Sequence, residues 1–317
     1  MSSSTDSSDS RIAIIIDTDT NNELDDQHAL AYAFFNAPVF HVLGVTINHT
    51  AAAPNTVASV QADYDEAERV MTLCQAIDKI PLKQGAQSNY EDIKSHVHDA
   101  DFEGQEAIDF IIEQAHTERD QKLILLGIGK LTNLALAFDR DPSIVPLVKV
   151  VWLGGNYSER DGADGEHNLR HDPPSYNAVI ESGVEFEMVT VRYNDPSGTS
   201  AVAVSVQEIK EKMHGKGPVS EAVAGRYGGE FSTFGDYSIE LFVKYTTGTR
   251  PLFDMAALAI IKNPEWAEVK EIPAPKLHGA EWSGTFPGKT IKLWENFDKE
   301  AILGDFFETM THPRLVK

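Results

Sequence analysis

Short apolar runs alternate with longer segments that are apolar on one side only along most of this chain. The short runs are rich in β-branched residues and are bounded by turn-forming residues, a pattern typical of strands buried in a sheet. The longer segments repeat apolar residues at helical spacing, as positions 57, 60, 64, 67, 70 and 71 do. The pattern predicts strands over residues 11–16, 40–47, 81–84, 123–127, 148–155, 184–191 and 289–295. It predicts helices over residues 26–36, 55–79, 104–118, 219–246, 254–262 and 298–311, another helix after the glycine turn at Gly127, and a loop over residues 87–103.

The alternation of strands and helices predicts an α/β fold of Rossmann-like type, with a mostly parallel sheet and helices on both faces. We find no internal repeat and no linker, so we expect a single domain over residues 11–317. Residues 1–10 (MSSSTDSSDS) are polar and lack the basic and apolar regions of a secretory signal, which predicts a disordered tail. In sheets of this kind ligands bind at the carboxyl ends of the strands. Four polar clusters directly follow predicted strands, at residues 17–26, 48, 132–133 and 154–156.

The charge balance and the single cysteine restrict the possible partners and metals. The formal net charge is -22, which argues against nucleic acid and anionic membranes as partners because both are negatively charged. The apolar runs are too short to span a bilayer. Cys74 is the only cysteine, which excludes an intramolecular disulfide and a zinc site built from several cysteines. These features together favour a cytoplasmic location.

Five acidic residues follow the first predicted strand within ten positions: Asp17, Asp19, Glu23, Asp25 and Asp26. Their mutual repulsion beside a buried strand costs stability, so their density needs an explanation. Asp25 and Asp26 suit the start of a helix, where each carboxylate contributes about 0.3–1 kcal/mol. Capping does not account for Asp17 and Asp19. A metal site is the second interpretation, and oxygen ligands alone favour Ca²⁺ or Mg²⁺ over zinc.

Two known acidic motifs come close to this stretch without matching it. DTDTNN begins like an EF-hand loop, but Asn22 stands where that loop needs glycine and His28 stands where it needs a bidentate glutamate. A strand also precedes it instead of a helix, so we exclude an EF-hand. Phosphatases of the haloacid-dehalogenase type follow a strand with D-x-D-x-T or D-x-D-x-V, whereas Asn21 is the fifth residue here. A magnesium-dependent phosphatase with Asp17 as nucleophile remains an alternative.

An apolar strand followed by D-T-D and by a D-D pair that opens a helix resembles the calcium-dependent, inosine/uridine-preferring nucleoside hydrolases. Their usual pattern is D-x-D-P-G-x-D-D, whereas residues 17–26 read DTDTNNELDD, two residues longer and without Pro-Gly. Four further stretches resemble the family in the same order: LGVTIN at 43–48, GKLTNLALA at 129–137 with Lys130 in place of proline, VVWLGG followed by GEHN where the family reads M-G-G and A-E-F-N, and RPLFDMAALA at 250–259. The resemblance runs from residue 11 to about residue 312 and identifies a divergent member.

The resemblance implies hydrolysis of the N-glycosidic bond of ribonucleosides to free base and ribose, with Ca²⁺ as cofactor. Such a reaction needs a positioned water, a base to activate it and acceptors for the ribose hydroxyls. By the resemblance, the calcium ligands are Asp19, Asp26, the backbone carbonyl of Thr132 and Asp254. Asp19 is also the general base, and Asp17 braces the loop. The substrate-binding residues are Asp25, Asn48, Glu166 and Asn168 on the ribose and Phe253 at the base.

The leaving-group acid is the main open position. Many relatives carry histidine before the last aspartate, where this chain has Phe253. The candidates for the acid are His96, His98, His167, His171, Tyr227, Tyr237 and Tyr245. Arg160 stands where relatives commonly have an asparagine that touches the sugar, and Asn156 is a possible substitute. Phe253 also motivates a third alternative, a nucleoside- or ribose-binding protein without turnover.

The sequence leaves the base specificity and the role of residues 20–23 undetermined. We expect a small-molecule ribonucleoside as the partner. By the resemblance, we also expect a homodimer or homotetramer.

Overall fold

The computed structural model describes residues 9–51, 58–158 and 162–317. The strands are β1 (Ile12–Thr18), β2 (Phe40–Ile47), β3 (Leu82–Gln84), β4 (Leu123–Gly127), β5 (Val148–Leu153), β6 (Gly162–Ala163), β7 (Glu185–Val189), β8 (Ala203–Ser205), β9 (Val223–Ala224), β10 (Glu230–Phe231), β11 (Thr249–Pro251), β12 (Glu268–His278) and β13 (Glu281–Glu295). The α-helices are α1 (Asp25–Phe35), α2 (Val60–Leu73), α3 (Tyr90–Ile93), α4 (Gln105–His116), α5 (Thr132–Arg140), α6 (His167–His171), α7 (Pro173–Ser182), α8 (Val206–Met213), α9 (Phe234–Tyr245), α10 (Phe253–Lys262) and α11 (Lys299–Thr311).

The central sheet has the strand order β12-β13-β7-β5-β4-β1-β2-β3, with β6 paired to β13. Strands β13, β7, β5, β4, β1, β2 and β3 run parallel to their neighbours along this path, and β12 and β6 are antiparallel to β13. The chain moves outward from β1 in one direction through β2 and β3, and from β4 in the other direction through β5 and β7. The order therefore reverses between β1 and β4, and ligands bind in the crevice at such a reversal.

Apolar side chains cover both faces of the sheet, because successive residues of a strand point to opposite sides. Ile14 and Ile16 of β1 join one buried cluster with residues of α1, α2, α9, α10 and α11. Ile15 joins a second cluster with residues of α4, α5 and α7. The predicted α/β fold with a mostly parallel sheet and helices on both faces is confirmed.

Several predicted elements differ from the structure. The helix predicted over residues 219–246 is wrong in its first half, where the hairpin β9–β10 forms and α9 begins only at Phe234. Gly228 and Gly229 adopt left-handed φ angles of 96° and 78°, which turn the chain before the helix. Thr233 then caps α9 by accepting a hydrogen bond from the backbone N–H of Asp236. The sequence analysis also missed α3 inside the predicted 87–103 loop, the helices α7 and α8, and strand β12.

Some predictions fall on residues outside the described ranges. Most of the predicted tail, residues 1–8, lies there, so the boundary at residue 11 stays a prediction. The first part of the helix predicted over residues 55–79 also lies there, and the described helix α2 begins at Val60 after the cap Ser59. Within the described ranges, no helix is both long enough and apolar enough to cross a bilayer.

Candidate active site

A cavity opens at the carboxyl ends of the central strands, beside the crevice between β1 and β4. The loop after β1 and the first turns of α1, α6 and α10 form much of its wall. The acidic side chains in the wall are Asp19, Glu23, Asp25, Asp26, Glu166 and Asp254. The structure thus brings together acids that are separated by more than 200 positions in the sequence.

Asp25, Asp26 and Asp254 form a compact trio. One carboxylate oxygen from each lies within 4.8 Å of the others, and all three side chains are buried. Asp25 and Asp26 lie in the first turn of α1 and Asp254 lies in the first turn of α10, where helix dipoles favour carboxylates. Burial, together with neighbouring carboxylates, nevertheless raises the pKa of Asp26 and Asp254 well above the usual range. A divalent cation on these oxygens would remove the repulsion, and oxygen ligands alone suit Ca²⁺ or Mg²⁺.

Asp19 lines the same cavity but stands outside this trio. Its Oδ2 accepts a hydrogen bond from the Thr50 hydroxyl, whereas its buried Oδ1 has no hydrogen-bond partner among the described residues. Burial and the negative charge of Asp63 raise the pKa of Asp19 well above the usual range. An unpaired buried acceptor is costly, so this oxygen is suited to a ligand, a cation or a water.

Asn48 presents a second unpaired oxygen at the same place. Its Nδ2 donates to Asp17 Oδ1 at 2.6 Å, and its buried Oδ1 has no partner within the described part of the chain. A Cβ atom built on Gly129 would lie 2.5 Å from Asn48 Oδ1 and 2.9 Å from Asp19 Oδ1. The two unpaired oxygens therefore converge on the backbone of Gly129, just after β4.

Asp17 is buried beneath the cavity and is not part of its wall. Its carboxylate accepts hydrogen bonds from Asn48 Nδ2 at 2.6 Å, Thr46 Oγ1 at 2.6 Å and Asn133 Nδ2 at 2.7 Å. Burial still raises its pKa to about 6. These bonds tie β1 to β2 and α5, as expected of a bracing residue. They also occupy both oxygens of the group that the phosphatase alternative needs as an exposed nucleophile.

Thr132 does not reach the cavity, although it was predicted to offer its carbonyl to a cation. It lies at the start of α5, and its hydroxyl donates to Asp172 Oδ2 at 2.5 Å. Ile128, the first residue after β4, lines the wall instead. Asn168 Nδ2 donates to the carbonyls of Ile128 at 3.2 Å and Leu153 at 3.0 Å. The sequence feature that could have identified Ile128 as a wall residue is its position at the carboxyl end of a central strand.

Glu166 lines the cavity wall and also caps the start of α6. It is the N-cap of α6 and accepts backbone hydrogen bonds from Gly155, Asn168 and Leu169 at 2.8–2.9 Å. Complete burial outweighs these bonds and raises the pKa of its carboxyl from 4.5 to about 7. The Glu166 side chain therefore fixes the start of α6 against the glycine turn that follows β5.

Aromatic rings form one side of the cavity. Phe253 and Tyr193 both line the wall and meet edge to face, with ring centroids 5.9 Å apart. The Arg250 guanidinium lies 5.2 Å from the Phe253 centroid and 5.1 Å from the Tyr245 centroid. Of the three tyrosines suggested as acids, none lines the wall. Aromatic side chains therefore lie in the same wall as the acidic cluster.

Hydrogen bonds and an ion pair hold the expanded loop over residues 20–23 in place. The backbone N–H of Asn21 donates to Asp63 Oδ1 at 2.8 Å, which attaches the loop to α2. Arg226 Nη2 donates to the Glu23 carbonyl at 2.6 Å, and the Glu23 carboxylate pairs with Arg250. The expansion therefore has a structural explanation: it carries Glu23 into the cavity wall and links β1 to α2 and β11.

His167 lies in the cavity wall, unlike the other histidines considered as acids. It occupies the third position of GEHN, and burial together with the positive charges of His171 and Arg170 lowers its pKa to about 3.

His96 and His98 are exposed, and His171 Nδ1 lies 2.7 Å from the His167 carbonyl. Arg160 lies outside the described residues. Asn156 is described but is not part of the wall.

The sequence of this chain is similar to those of known proteins. The family model described as "Inosine-uridine preferring nucleoside hydrolase" matches residues 14–301. The probable uridine nucleosidase 1 of Oryza sativa subsp. japonica is 24% identical over 229 residues, which cover 65% of this chain and 65% of that protein. The match thus spans slightly less than two thirds of the relative's length.

Solved structures share the fold. The plant nucleoside hydrolase PpNRh1 superposes with a TM-score of 0.73 at 18% identity, covering 95% of this chain and 99% of that one. A purine-preferring ribonucleoside hydrolase from Gardnerella vaginalis gives a TM-score of 0.67 at 18% identity, covering 94% and 98% of the two chains.

Proposed function

Because the chain belongs to the inosine-uridine preferring nucleoside hydrolase family, we propose that it cleaves the N-glycosidic bond of ribonucleosides with water, releasing free base and ribose. The observation that carries this proposal is the cavity itself. Its wall combines buried carboxylates, among them Asp19 with its unpaired Oδ1, with the rings of Phe253 and Tyr193, and the unpaired Asn48 Oδ1 lies behind the wall near Gly129. The polar end suits a ribose with its attacking water, and the aromatic side suits a base.

The donor set fits a hard divalent cation, and we assign Ca²⁺. Asp19, Asp26 and Asp254 would hold it through carboxylate oxygens, with the Ile128 carbonyl in place of the Thr132 carbonyl that the sequence suggested. The close trio that includes Asp26 and Asp254, with Asp19 in the same wall, supports this assignment. Bound Ca²⁺ supplies positive charge that neutralises the cluster and polarises a water molecule.

Asp19 is the general base in this proposal. A carboxylate only accepts hydrogen bonds, and its Oδ1 is the atom that has no partner among the described residues. The attacking water therefore gives its proton to Oδ1, while Thr50 occupies Oδ2. General base catalysis of this kind contributes about 10²- to 10⁴-fold to a rate.

In this proposal the ribose is contacted by Asp25, Asn48, Glu166 and Asn168. The Asn48 Oδ1 atom is buried and unpaired within the described residues, so it is suited to accept from a sugar hydroxyl. Asn168 uses Nδ2 on two backbone carbonyls, which orients its amide and assigns its Oδ1 to the sugar. Asp25 belongs to the trio, and its first-turn position leaves its carboxylate in the wall next to the other acids.

Phe253 contacts the departing base in this proposal, with Tyr193 beside it. Their edge-to-face contact holds both rings in the wall, and ring stacking with a planar base favours binding. The partner is therefore a small-molecule ribonucleoside. We further propose a cytoplasmic homodimer or homotetramer, which light scattering after size exclusion and localisation of the tagged protein test.

The proposal is tested by incubating the purified protein with a panel of purine and pyrimidine ribonucleosides and measuring reducing sugar, with Ca²⁺ or with excess EGTA. We expect ribose release from at least one nucleoside and its loss with EGTA. Binding without release would favour the non-catalytic alternative. Phosphate release from p-nitrophenyl phosphate that Asp17→Asn abolishes would favour the phosphatase, against the buried position of Asp17.

A further inference from the structure

Two side chains outside the proposed catalytic and binding set make a hydrogen-bonded chain to Asp19. The Thr50 hydroxyl donates to Asp19 Oδ2. His167 Nε2 lies 2.9 Å from Thr50 Oγ1 and 3.8 Å from Asp19 Oδ2. Thr50 follows β2 and His167 begins α6, so residues 117 positions apart meet at the general base.

The donors in this chain can be assigned from the chemistry of each group. Asp19 is ionised when it acts as the general base, and an ionised carboxylate only accepts, so the single hydroxyl proton of Thr50 goes to Asp19 in that state. The Thr50 oxygen must then accept from His167, which places a proton on Nε2. Arg170 Nη2 lies 3.3 Å from His167 Nδ1, and a guanidinium only donates, so Nδ1 is the accepting nitrogen. Both contacts require the same neutral Nε2–H tautomer.

We propose that Thr50 and His167 are positioning residues that orient Asp19 for catalysis. Their hydrogen bonds hold Oδ2, and this leaves Oδ1 directed to the place beside Gly129 where the unpaired Asn48 oxygen also lies. The inference rests on the proposed function, because it describes how the assigned base is held. Without the Thr50 hydroxyl, Asp19 can rotate and share its two oxygens between the cavity and the loop.

A purely structural role does not require these polar groups. Thr50 is half-buried and the His167 side chain is 15% exposed, so valine and phenylalanine would fill their positions with similar volume. Burying a hydroxyl and an imidazole costs free energy unless they are paired, and here their pairing is directed to Asp19. These hydrogen bonds therefore position the Asp19 carboxylate, whereas packing alone does not require them.

Kinetics of matched variants test the proposal. Thr50→Val removes only the hydroxyl, Thr50→Ser keeps it, and His167→Phe removes the donor while keeping a ring. We expect Thr50→Val to lower kcat by about 10- to 100-fold, the effect of losing a hydrogen bond to a charged group, with KM little changed. His167→Phe should lower kcat by a similar factor, because Thr50 then loses the donor that orients its hydroxyl towards Asp19. Thr50→Ser should recover most of the loss. The Thr50→Val/His167→Phe double variant should lose little more than either single variant, because both belong to one chain of bonds.

His96→Phe is the control for replacing a histidine, because His96 is exposed and outside the cavity wall. Wild-type kcat in Thr50→Val, equal losses in Thr50→Val and Thr50→Ser, or multiplicative losses in the double variant would each overturn the proposal. Thermal unfolding of every variant identifies losses that come from misfolding.

A measurement that does not depend on catalytic activity distinguishes a failure of this inference from a failure of the proposed function. Long-range ¹H–¹⁵N spectra of the wild-type protein report which ring nitrogen of His167 carries the proton. We expect the Nε2–H tautomer, and its signal should shift in Thr50→Val. An Nδ1–H tautomer overturns the hydrogen-bonded chain whether or not the enzyme is active. Absence of ribose release with the Nε2–H tautomer present would instead refute the proposed function and leave the chain of bonds standing.

Discussion

Gly129 lies so close to Asn48 that a Cβ atom at position 129 would be only 2.5 Å from Asn48 Oδ1. The same atom would be 2.9 Å from Asp19 Oδ1. Both distances are shorter than ordinary van der Waals contact, so a side chain at this position must displace one or both oxygens. The glycine after β4 therefore keeps open the point where the two unpaired oxygens meet.

Gly129→Ala should reduce activity more than stability. The methyl group displaces the Asn48 and Asp19 oxygens, and small misplacement of catalytic groups costs about 100-fold in rate. We expect kcat/KM to fall by at least about tenfold. Gly304→Ala is the matched control, because a Cβ atom there meets open space in α11. Wild-type kcat/KM in Gly129→Ala would show that the two oxygens do not act together.

Asp17→Asn should mainly destabilise the fold. The Asp17 carboxylate accepts from two amide N–H groups and one hydroxyl, and the amide of asparagine would place donor against donor. Leaving a buried donor unpaired costs about 1–3 kcal/mol. Urea denaturation should show a lower midpoint with an unchanged slope. A stable variant that has lost all activity would point to a direct chemical role for Asp17.

Asp254→Asn should reduce the stabilisation that the proposed Ca²⁺ site predicts. A ligand that binds only the folded state at 100 times its Kd raises the unfolding free energy by about 2.7 kcal/mol. Asp254 contributes one oxygen of the 4.8 Å trio, so its neutral variant should bind the ion more weakly. Thermal unfolding with EGTA and with increasing Ca²⁺ measures the effect. Equal calcium-induced shifts in the variant and the wild type would place the ion elsewhere.

Glu166 should make the metal-free protein less stable as pH rises. Burial raises the pKa of its carboxyl from 4.5 to about 7, so between these values the folded state holds more protons than the unfolded state. The unfolding free energy therefore falls as pH increases through this window, by up to about 1.4 kcal/mol per unit of pKa shift.

Denaturant titrations of wild type and Glu166→Gln in EGTA at pH 4.5, 5.5 and 7.5 measure this contribution. Other buried acids such as Asp17 and Asp25 act in the same direction in both proteins, so the difference between the two pH profiles isolates Glu166. We expect a flatter profile for Glu166→Gln. Parallel profiles would mean that the Glu166 carboxyl has the same pKa in the folded and unfolded protein.

The sequence predicted the parts of the site that depend on strand ends. The strands over 40–47 and 123–127 have the predicted bounds, and the acids after β1 reach the cavity because an apolar run ends where they begin. Thr132, which the resemblance suggested as a calcium ligand, lies at the start of α5 outside the cavity wall, and its local sequence does not show this. The helix predicted over 219–246 is wrong in its first half because the prediction gave more weight to the apolar periodicity than to the adjacent Gly228 and Gly229.

Contacts between distant segments could not be predicted from local patterns. The Thr50–His167 contact joins two loops that follow different strands, and only the folded sheet brings them together. The Glu23–Arg250 pair likewise explains an expansion that had no interpretation in the sequence. Such contacts depend on tertiary geometry, whereas strand ends follow from local polarity.

The most direct test follows one nucleoside by ¹H NMR in phosphate-free buffer with wild type and Asp19→Asn, each with Ca²⁺ and with EGTA. The substrate is whichever nucleoside the panel identifies as the fastest. The account predicts equal amounts of free base and ribose from wild type with Ca²⁺, no turnover with EGTA, and a rate about 10²- to 10⁴-fold lower for Asp19→Asn. Undiminished turnover by Asp19→Asn, or turnover that persists in EGTA, would contradict it.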